Sequence, residues 1–175
     1  ALRDNWAVFM GSPHSATLLL FQVAGETCAI PAEAVKQVVP LAALNRPPGL
    51  PPVLEGFLNL GGTAVPVIRL ERLFGLPPQP PPLHAHLVVL GRQEHSFALL
   101  VSRALDIVPV APEGLRPIPK GSTFNECATA EVEAGGRAVP VLSPGRLLLE
   151  SERQAIAAFQ ETAQRYLDEL EPPSA

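Results

Sequence analysis

The sequence offers little support for a nucleic-acid-binding or membrane-spanning protein. Its formal net charge is −4, and no cluster of Lys and Arg is present, so a surface that binds phosphate groups is not expected. No apolar run reaches the roughly 18 residues that a membrane-spanning helix requires. No basic segment precedes an apolar one near the N-terminus, so no signal peptide is predicted. Aromatic residues make up only 5% of the chain, so aliphatic side chains must fill the core.

Metal-binding and catalytic patterns are also absent. Cys28 and Cys127 do not form a Cys-x-x-Cys pair, and we expect two reduced core thiols, with a single disulfide as the alternative. His84 and His86 would share one face of a strand, but no cysteine or carboxylate stands at a supporting spacing. The motifs of nucleophile elbows, phosphate loops and zinc proteases are missing. We therefore predict no catalytic residue, no cofactor and no metal.

What the sequence does contain is typical of a folded, β-rich protein. Hydrophobic residues make up 47% of the 175 residues, and 21 residues are proline. This proline content indicates short strands joined by loops and argues against a helical bundle. The length fits one domain, or two small lobes that share a core, because each lobe alone would bury too little surface.

Two glycines, Gly61 and Gly62, separate two apolar stretches at residues 57–60 and 64–68. Glycine accepts positive φ without a steric penalty, so this pair is typical of the tight turn in a β-hairpin. The second stretch contains Pro66, which cannot donate a ladder hydrogen bond. Pro66 must therefore lie at an edge, a bulge or the end of a strand.

The second half of the chain repeats this pattern. Residues 136–142 match residues 62–68 at an offset of 74 positions, including the proline within the strand. Residues 107–109 match residues 38–40 at an offset of 69, and a predicted hairpin precedes each. The repeats indicate an internal duplication of about 70 residues that gives two similar β-rich lobes. Chance matching of Val-rich strands is the alternative.

These patterns divide the chain into segments. An N-terminal tail covers 1–16, and lobe one covers about 17–76. A proline-rich connection at 77–82 joins it to lobe two, at about 83–150. The connection contains P-x-x-P patterns, so a ligand for a polyproline-binding domain is the alternative to a spacer. The tail carries Trp6, Phe9 and Met10, which would lie on the body of the protein or form a docking peptide.

The last segment, 151–171, is predicted to be an amphipathic helix. Ser151 and Gln154 fit a capping box at its start. Apolar residues then recur at steps of three and four, at Ile156, Phe159, Ala163, Tyr166, Leu167 and Leu170. This stripe would cover the chain's own lobes or bind a partner helix.

Together, the repeat, the turn Gly-Phe-Leu-Asn-Leu-Gly-Gly at 56–62 and the following Val-Pro-Val-Ile-Arg-Leu at 65–70 resemble the CheW family. This family comprises the coupling proteins of bacterial chemosensory arrays. The resemblance extends from about Thr17 to Glu150. Many spaced features occur in the same order, and no single one would be sufficient.

The resemblance implies a mainly β fold of two similar SH3-like five-stranded β-barrel lobes, to which the sequence pattern adds a C-terminal amphipathic α-helix. It implies a non-catalytic adaptor that couples the cytoplasmic tips of chemoreceptors (methyl-accepting proteins) to the regulatory domain of a CheA-type histidine kinase. Such a protein is cytoplasmic and is recruited to membrane-associated receptor arrays. An SH3-like peptide-binding module with unrelated partners, or an enzyme with a site between the lobes, are the alternatives.

The sequence departs from the family pattern at three positions. Gly61 stands where the family has arginine, and Arg69 and Ser102 stand where it has aspartate. These charge differences should change partner choice, which indicates a divergent paralogue in another chemosensory-like pathway. The resemblance places the partner-binding residues at Val35, Val38, Gly56, Asn59, Leu60, Gly61, Gly62 and Arg69. One side of a groove for the receptor tip would be formed or supported by Val35, Val38, Gly56, Asn59, Leu60 and Gly62.

Overall fold

The computed structural model describes residues 16–91 and 96–170, so almost all of the predicted N-terminal tail lies outside it. The described residues form short β-strands and one long helix. The elements are β1 (Ala16–Val23), β2 (Glu26–Pro31), β3 (Val35–Pro40), β4 (Leu54–Leu60), β5 (Thr63–Arg69), β6 (His86–Leu90), β7 (Phe97–Val101), β8 (Arg103–Val110), β9 (Arg116–Pro117), β10 (Ala128–Ala134), β11 (Arg137–Leu142) and α1 (Glu150–Leu170).

The strands form two sheets. The five-stranded sheet has the order β3-β6-β7-β5-β4, and the six-stranded sheet has the order β8-β1-β2-β11-β10-β9. The sixth strand, β9, contains only two residues. The predicted fold class, mainly β with two similar lobes and a C-terminal helix, is confirmed.

The two sheets are built in the same way. β5 pairs antiparallel with β4 and parallel with β7, and β11 pairs antiparallel with β10 and parallel with β2. The matched segments around Pro66 and Pro140 therefore lie in equivalent strands, as a duplication predicts. Pro66 immediately precedes Val67, the first residue of β5 that pairs with β7. It lies at the end of that pairing, where it removes no ladder hydrogen bond.

The sheets do not coincide with the two halves of the sequence. β1 and β2 pair with strands of the second half, whereas β6 and β7 pair with strands of the first half. The predicted lobes at 17–76 and 83–150 are therefore sequence repeats and not separate sheets. Short connections cause this exchange, because Ser102 alone separates β7 from β8, which lie in different sheets. The connection at 77–82 instead lies between β5 and β6 of the same sheet.

The largest hydrophobic cluster contains side chains from both sheets, among them Phe21 of β1 and Leu99 of β7, and is called the shared core below. Each sheet also encloses a smaller cluster of its own. Cys28 and Cys127 are both free and buried in the shared core, as expected from the sequence. Burial, and secondarily the carboxylate of Glu26, raises the pKa of the Cys28 thiol to about 12.

The predicted C-terminal helix is present, but its cap differs from the prediction. The helix begins at Glu150, so Leu149 precedes it and Glu152 is its third residue. The Oε1 atom of Glu152 accepts a hydrogen bond from the N–H of Leu149 at 2.8 Å, which is the carboxylate half of a capping box. The predicted pair, Ser151 and Gln154, lies two residues too late for this role.

The apolar stripe of α1 is only partly covered. Ile156 and Ala163 are buried, while Phe159 and Leu167 pack against the shared core from partly exposed positions. Tyr166 and Leu170 remain 53% and 60% exposed. The stripe therefore covers the chain's own sheets, except toward its C-terminal end.

Candidate partner-binding site

The residues predicted to contact partners are divided between opposite edges of the five-stranded sheet. Val35 and Val38 lie on β3 at one edge, and residues 59–62 form the turn between β4 and β5 at the other edge. Three strands, β6, β7 and β5, separate β3 from β4. The predicted residues therefore belong to two segments of the chain, and each segment is a candidate surface.

Val35 and Val38 share a face because a β-bulge lies between them. Val35 pairs with Leu90 and Val38 pairs with Val88, two residues apart on β6. In a regular strand, residues three apart point to opposite faces, and the extra residue of the bulge restores the alignment. Leu90 and Val88 both belong to the shared core. Val35 packs against that core, whereas Val38 remains 39% exposed at its edge.

The equivalent edge strand, β8, repeats this arrangement and was missed by the site prediction. Ile107, which matches Val38 in the duplication, pairs with Leu19 of the shared core and is 60% exposed. Leu105 lies at the corresponding bulge and is 41% exposed. The 69-residue offset was the signal that identifies these residues. The apolar set on the two edge strands is called the inter-sheet margin: the half-buried Val35 and the exposed Val38, Leu105 and Ile107.

A histidine links the two strands of the margin. His86 pairs with Pro40 at the end of β3, and its Nδ1 accepts a hydrogen bond from the N–H of Ala104 at 3.3 Å. The start of β8 therefore lies beside the end of β3. In the part of the chain that the structure describes, no group of three His, Cys, Asp or Glu side chains could hold a metal ion.

The turn between β4 and β5 is the second surface, called the turn surface below (residues 59–62). Gly61 and Gly62 have φ values of +60° and +88°, which favour glycine. The side chain of Asn59 accepts a hydrogen bond from the N–H of Gly62 at 2.9 Å. A Cβ atom added to Gly61 would meet nothing within 4 Å. The turn therefore has room for the arginine that the family pattern contains.

Helix α1 covers the turn surface from one side. The N–H of Ala64 donates to Oε1 of Gln164 at 2.9 Å, and Nε2 of Gln164 donates to the carbonyl of Gly62 at 2.8 Å. Nε2 of Gln160 donates to the carbonyl of Ala64 at 3.0 Å. Because β7 pairs with β5 only from Val67 onward, these side chains bind backbone groups that lie beyond the end of β7.

Gly56 and Arg69, unlike the exposed turn, make contacts within the protein. Gly56 is buried, and a Cβ atom there would lie 2.7 Å from the backbone oxygen of Asn45. Arg69 forms an ion pair with Glu55, whose side chain is only 3% exposed and which also contacts Arg46 at 2.7 Å. The positive charge at position 69 therefore compensates a buried carboxylate, and its side chain faces Glu55.

The family model of the CheW-like domain matches residues 17–152. The chain is 26% identical over 104 residues to the chemotaxis protein CheW of Bacillus subtilis, which covers 59% of this chain and 67% of that protein. It is 24% identical over 106 residues to a probable chemotaxis protein CheW of Rhizobium etli, covering 61% and 68% respectively.

A solved structure supports the same fold. The crystal structure of the scaffolding protein TtCheW from Thermoanaerobacter tengcongensis superposes with a TM-score of 0.71 at 18% sequence identity. The superposition covers 79% of this chain and 95% of that chain. Helix α1 extends 18 residues beyond Glu152, where the family match ends. No helix among residues 16–91 and 96–170 is both long and apolar enough to cross a membrane.

Proposed function

The chain belongs to the CheW-like domain family, and we propose that it is a non-catalytic adaptor that couples chemoreceptors to a CheA-type histidine kinase. The observation that carries this proposal is the family match over 17–152, most of the two-sheet body. An adaptor works through differences in partner contacts between signalling states and requires no reacting groups. It acts in the cytoplasm, at receptor arrays on the membrane.

The inter-sheet margin is the surface that we propose for the receptor tip. Val38 and Ile107 are aliphatic, exposed and equivalent in the two halves of the chain. A helical hairpin binds through apolar side chains spaced three and four residues apart, which an aliphatic strip of this kind can bury. Both edge strands would contribute, so the receptor would contact both sheets at once.

We propose the turn surface for the regulatory domain of the kinase. Gly61 is exposed, and its turn projects backbone groups and no charged side chain. Arg69, a predicted partner contact, would act there only indirectly, through its ion pair with Glu55. The missing arginine supports the interpretation of a paralogue that selects other partners than the family's usual ones.

Binding titrations with charge-bearing variants test the receptor surface. Val38→Asp and Ile107→Asp should each weaken binding of a receptor-tip hairpin by about tenfold or more, because a carboxylate would be buried against apolar side chains. Leu83→Asp is the matched control, since Leu83 is 92% exposed and lies outside the margin. Binding should be unchanged in this control.

The possible outcomes distinguish an error in the proposed receptor surface from an error in the proposed function. If all three variants bind the hairpin as the native chain does, the margin is not the receptor surface. If the native chain binds neither a receptor tip nor a CheA-type regulatory domain, the adaptor proposal is wrong.

A further inference from the structure

Helix α1 is docked on the body by few apolar contacts. Of its 21 residues, only Ile156 and Ala163 are buried. A cleft of about 250 Å³ lies under its C-terminal half, lined among others by Leu44, Asn59 and Leu167. An interface with an open cleft forfeits dispersion contacts, so this part of the helix is held more weakly than a close-packed element.

Polar contacts at the turn surface complement this weak packing. The carboxamide of Gln164 accepts from the N–H of Ala64 and donates to the carbonyl of Gly62, as the peptide group of an added β-strand would. Gln160 adds a hydrogen bond to the carbonyl of Ala64. These two glutamines, called the glutamine clamp, therefore occupy backbone groups through which a protein partner would bind an exposed strand end.

The duplication shows that such a turn does not need a helix over it. The equivalent turn between β10 and β11 has φ values of +58° at Gly135 and +76° at Gly136, close to those of Gly61 and Gly62. Ala138 is exposed there, whereas the matching Ala64 is only 1% exposed beneath α1. The same backbone conformation therefore forms in an exposed turn and does not depend on a covering helix.

We propose that α1 is a detachable strap that competes with a protein partner for the turn surface. Docked, it occupies the backbone of residues 62–64 through the glutamine clamp. Detached, it frees that backbone for the regulatory domain of the kinase. The strap would thereby regulate one contact of the adaptor and leave the inter-sheet margin available. This inference rests on the proposed function for its partner.

Amide hydrogen exchange of the isolated full chain tests the clamp without any partner. In the double variant Gln160→Ala and Gln164→Ala, the amide of Ala64 and its neighbours should exchange about tenfold faster or more, because Ala64 loses its acceptor on Gln164 and the strap opens more often. Gln154→Ala is the matched control: Gln154 is exposed on the same helix and contacts Glu150 at 3.5 Å. Its exchange should equal that of the native chain.

A second variant keeps the length of the side chain at position 164. Gln164→Glu keeps an acceptor for Ala64 but cannot donate to the carbonyl of Gly62, so it should also accelerate exchange. If both clamp variants fold and exchange at the native rate, the strap proposal is wrong.

Titration with the regulatory domain of a CheA-type kinase tests the competition. The clamp variants should bind about tenfold more tightly than the native chain and Gln154→Ala. On binding, amides of α1 in the native chain should exchange faster, because the partner displaces the strap. Equal or weaker binding by the clamp variants overturns the competition. If neither the native chain nor any variant binds this domain or a receptor tip, the proposed function is wrong. In that case, slow amide exchange in the native chain and fast amide exchange in the clamp variants would still support a detachable strap.

Discussion

Gly56 has no room for a side chain, and this fixes the loop that precedes β4. A Cβ atom would lie 2.7 Å from the backbone oxygen of Asn45. Asn45 and Phe57 exchange two backbone hydrogen bonds at 2.8 and 2.9 Å, so that oxygen cannot move without breaking the bridge. We expect Gly56→Ala to lower the free energy of unfolding by about 2 kcal/mol, measured by urea denaturation. Gly145→Ala is the control, with nothing within 4 Å of the added Cβ atom, and it should change stability by less than about 0.5 kcal/mol. Equal effects of the two changes would remove the steric argument.

Gly61 is the residue at which the chain departs from the family turn. We expect Gly61→Arg to strengthen binding to a conventional CheA-type regulatory domain by about 1–3 kcal/mol, because a carboxylate of the partner gains a cation. Gly135→Arg is the matched control, since its φ of +58° gives the same backbone strain in the equivalent turn. Surface-binding titration of both variants decides the point, and equal affinities would mean that the turn is only structural.

A further change of Arg69→Asp, suggested by the family pattern, would place a second carboxylate beside buried Glu55 and is expected to destabilise the fold.

The buried thiol of Cys28 gives stability a dependence on alkaline pH. Its pKa rises from 9.0 to about 12 on folding, so the unfolded chain loses this proton first as the pH rises. The contribution of this thiol to the free energy of unfolding is therefore complete below pH 9.0. It decreases as the pH rises to about 12, by about 1.4 kcal/mol for each pH unit. Between pH 8 and 11, the free energy of unfolding should fall less steeply with pH for Cys28→Ala than for the native chain, even though that variant starts from lower stability. Parallel curves would show that Cys28 does not titrate differently in the two states.

At the scale of elements, local patterns predict hairpins well and bulges poorly. The Gly-Gly turn and its flanking apolar strands, β4 and β5, form as the sequence predicts, because turn chemistry and alternation act between neighbouring residues. The bulge that aligns Val35 with Val38 depends on pairing with β6, about 50 residues later. The alignment of these valines on β3 therefore has a cause that their three-residue spacing alone does not contain, and their role toward a partner helix stays a prediction.

Contacts between distant elements also add features of the site that the sequence alone does not show. Nothing near Arg69 in the sequence shows that Glu55 is buried and pairs with both Arg46 and Arg69. The clamp formed by Gln160 and Gln164 lies about 100 residues from the turn that it covers. The helix itself follows from its apolar period, whereas its docking position follows only from the assembled sheets.

On the scale of the whole molecule, the duplication and the exchange of hairpins belong together. Each half contributes one hairpin to the other half's sheet, β1–β2 in one direction and β6–β7 in the other. The shared core then joins the sheets, with buried residues from strands of both halves. Neither half can complete a sheet of the observed order by itself. A small β-rich unit with missing strands exposes unpaired edges and buries too little apolar surface to be stable.

This exchange predicts the behaviour of the chain when it is divided. A cut between Gln79 and Pro80, in the exposed connection between β5 and β6, separates the two halves without interrupting a strand. We expect each fragment alone to be unfolded or self-associated, and an equimolar mixture to form a one-to-one complex with native β-structure, because the hairpins β1–β2 and β6–β7 find their neighbouring strands only on the other fragment. Far-ultraviolet circular dichroism and analytical ultracentrifugation of the fragments and their mixture measure this. Two fragments that fold as separate monomers, with no affinity for each other, would mean that the exchanged pairing is not what stabilises the sheets.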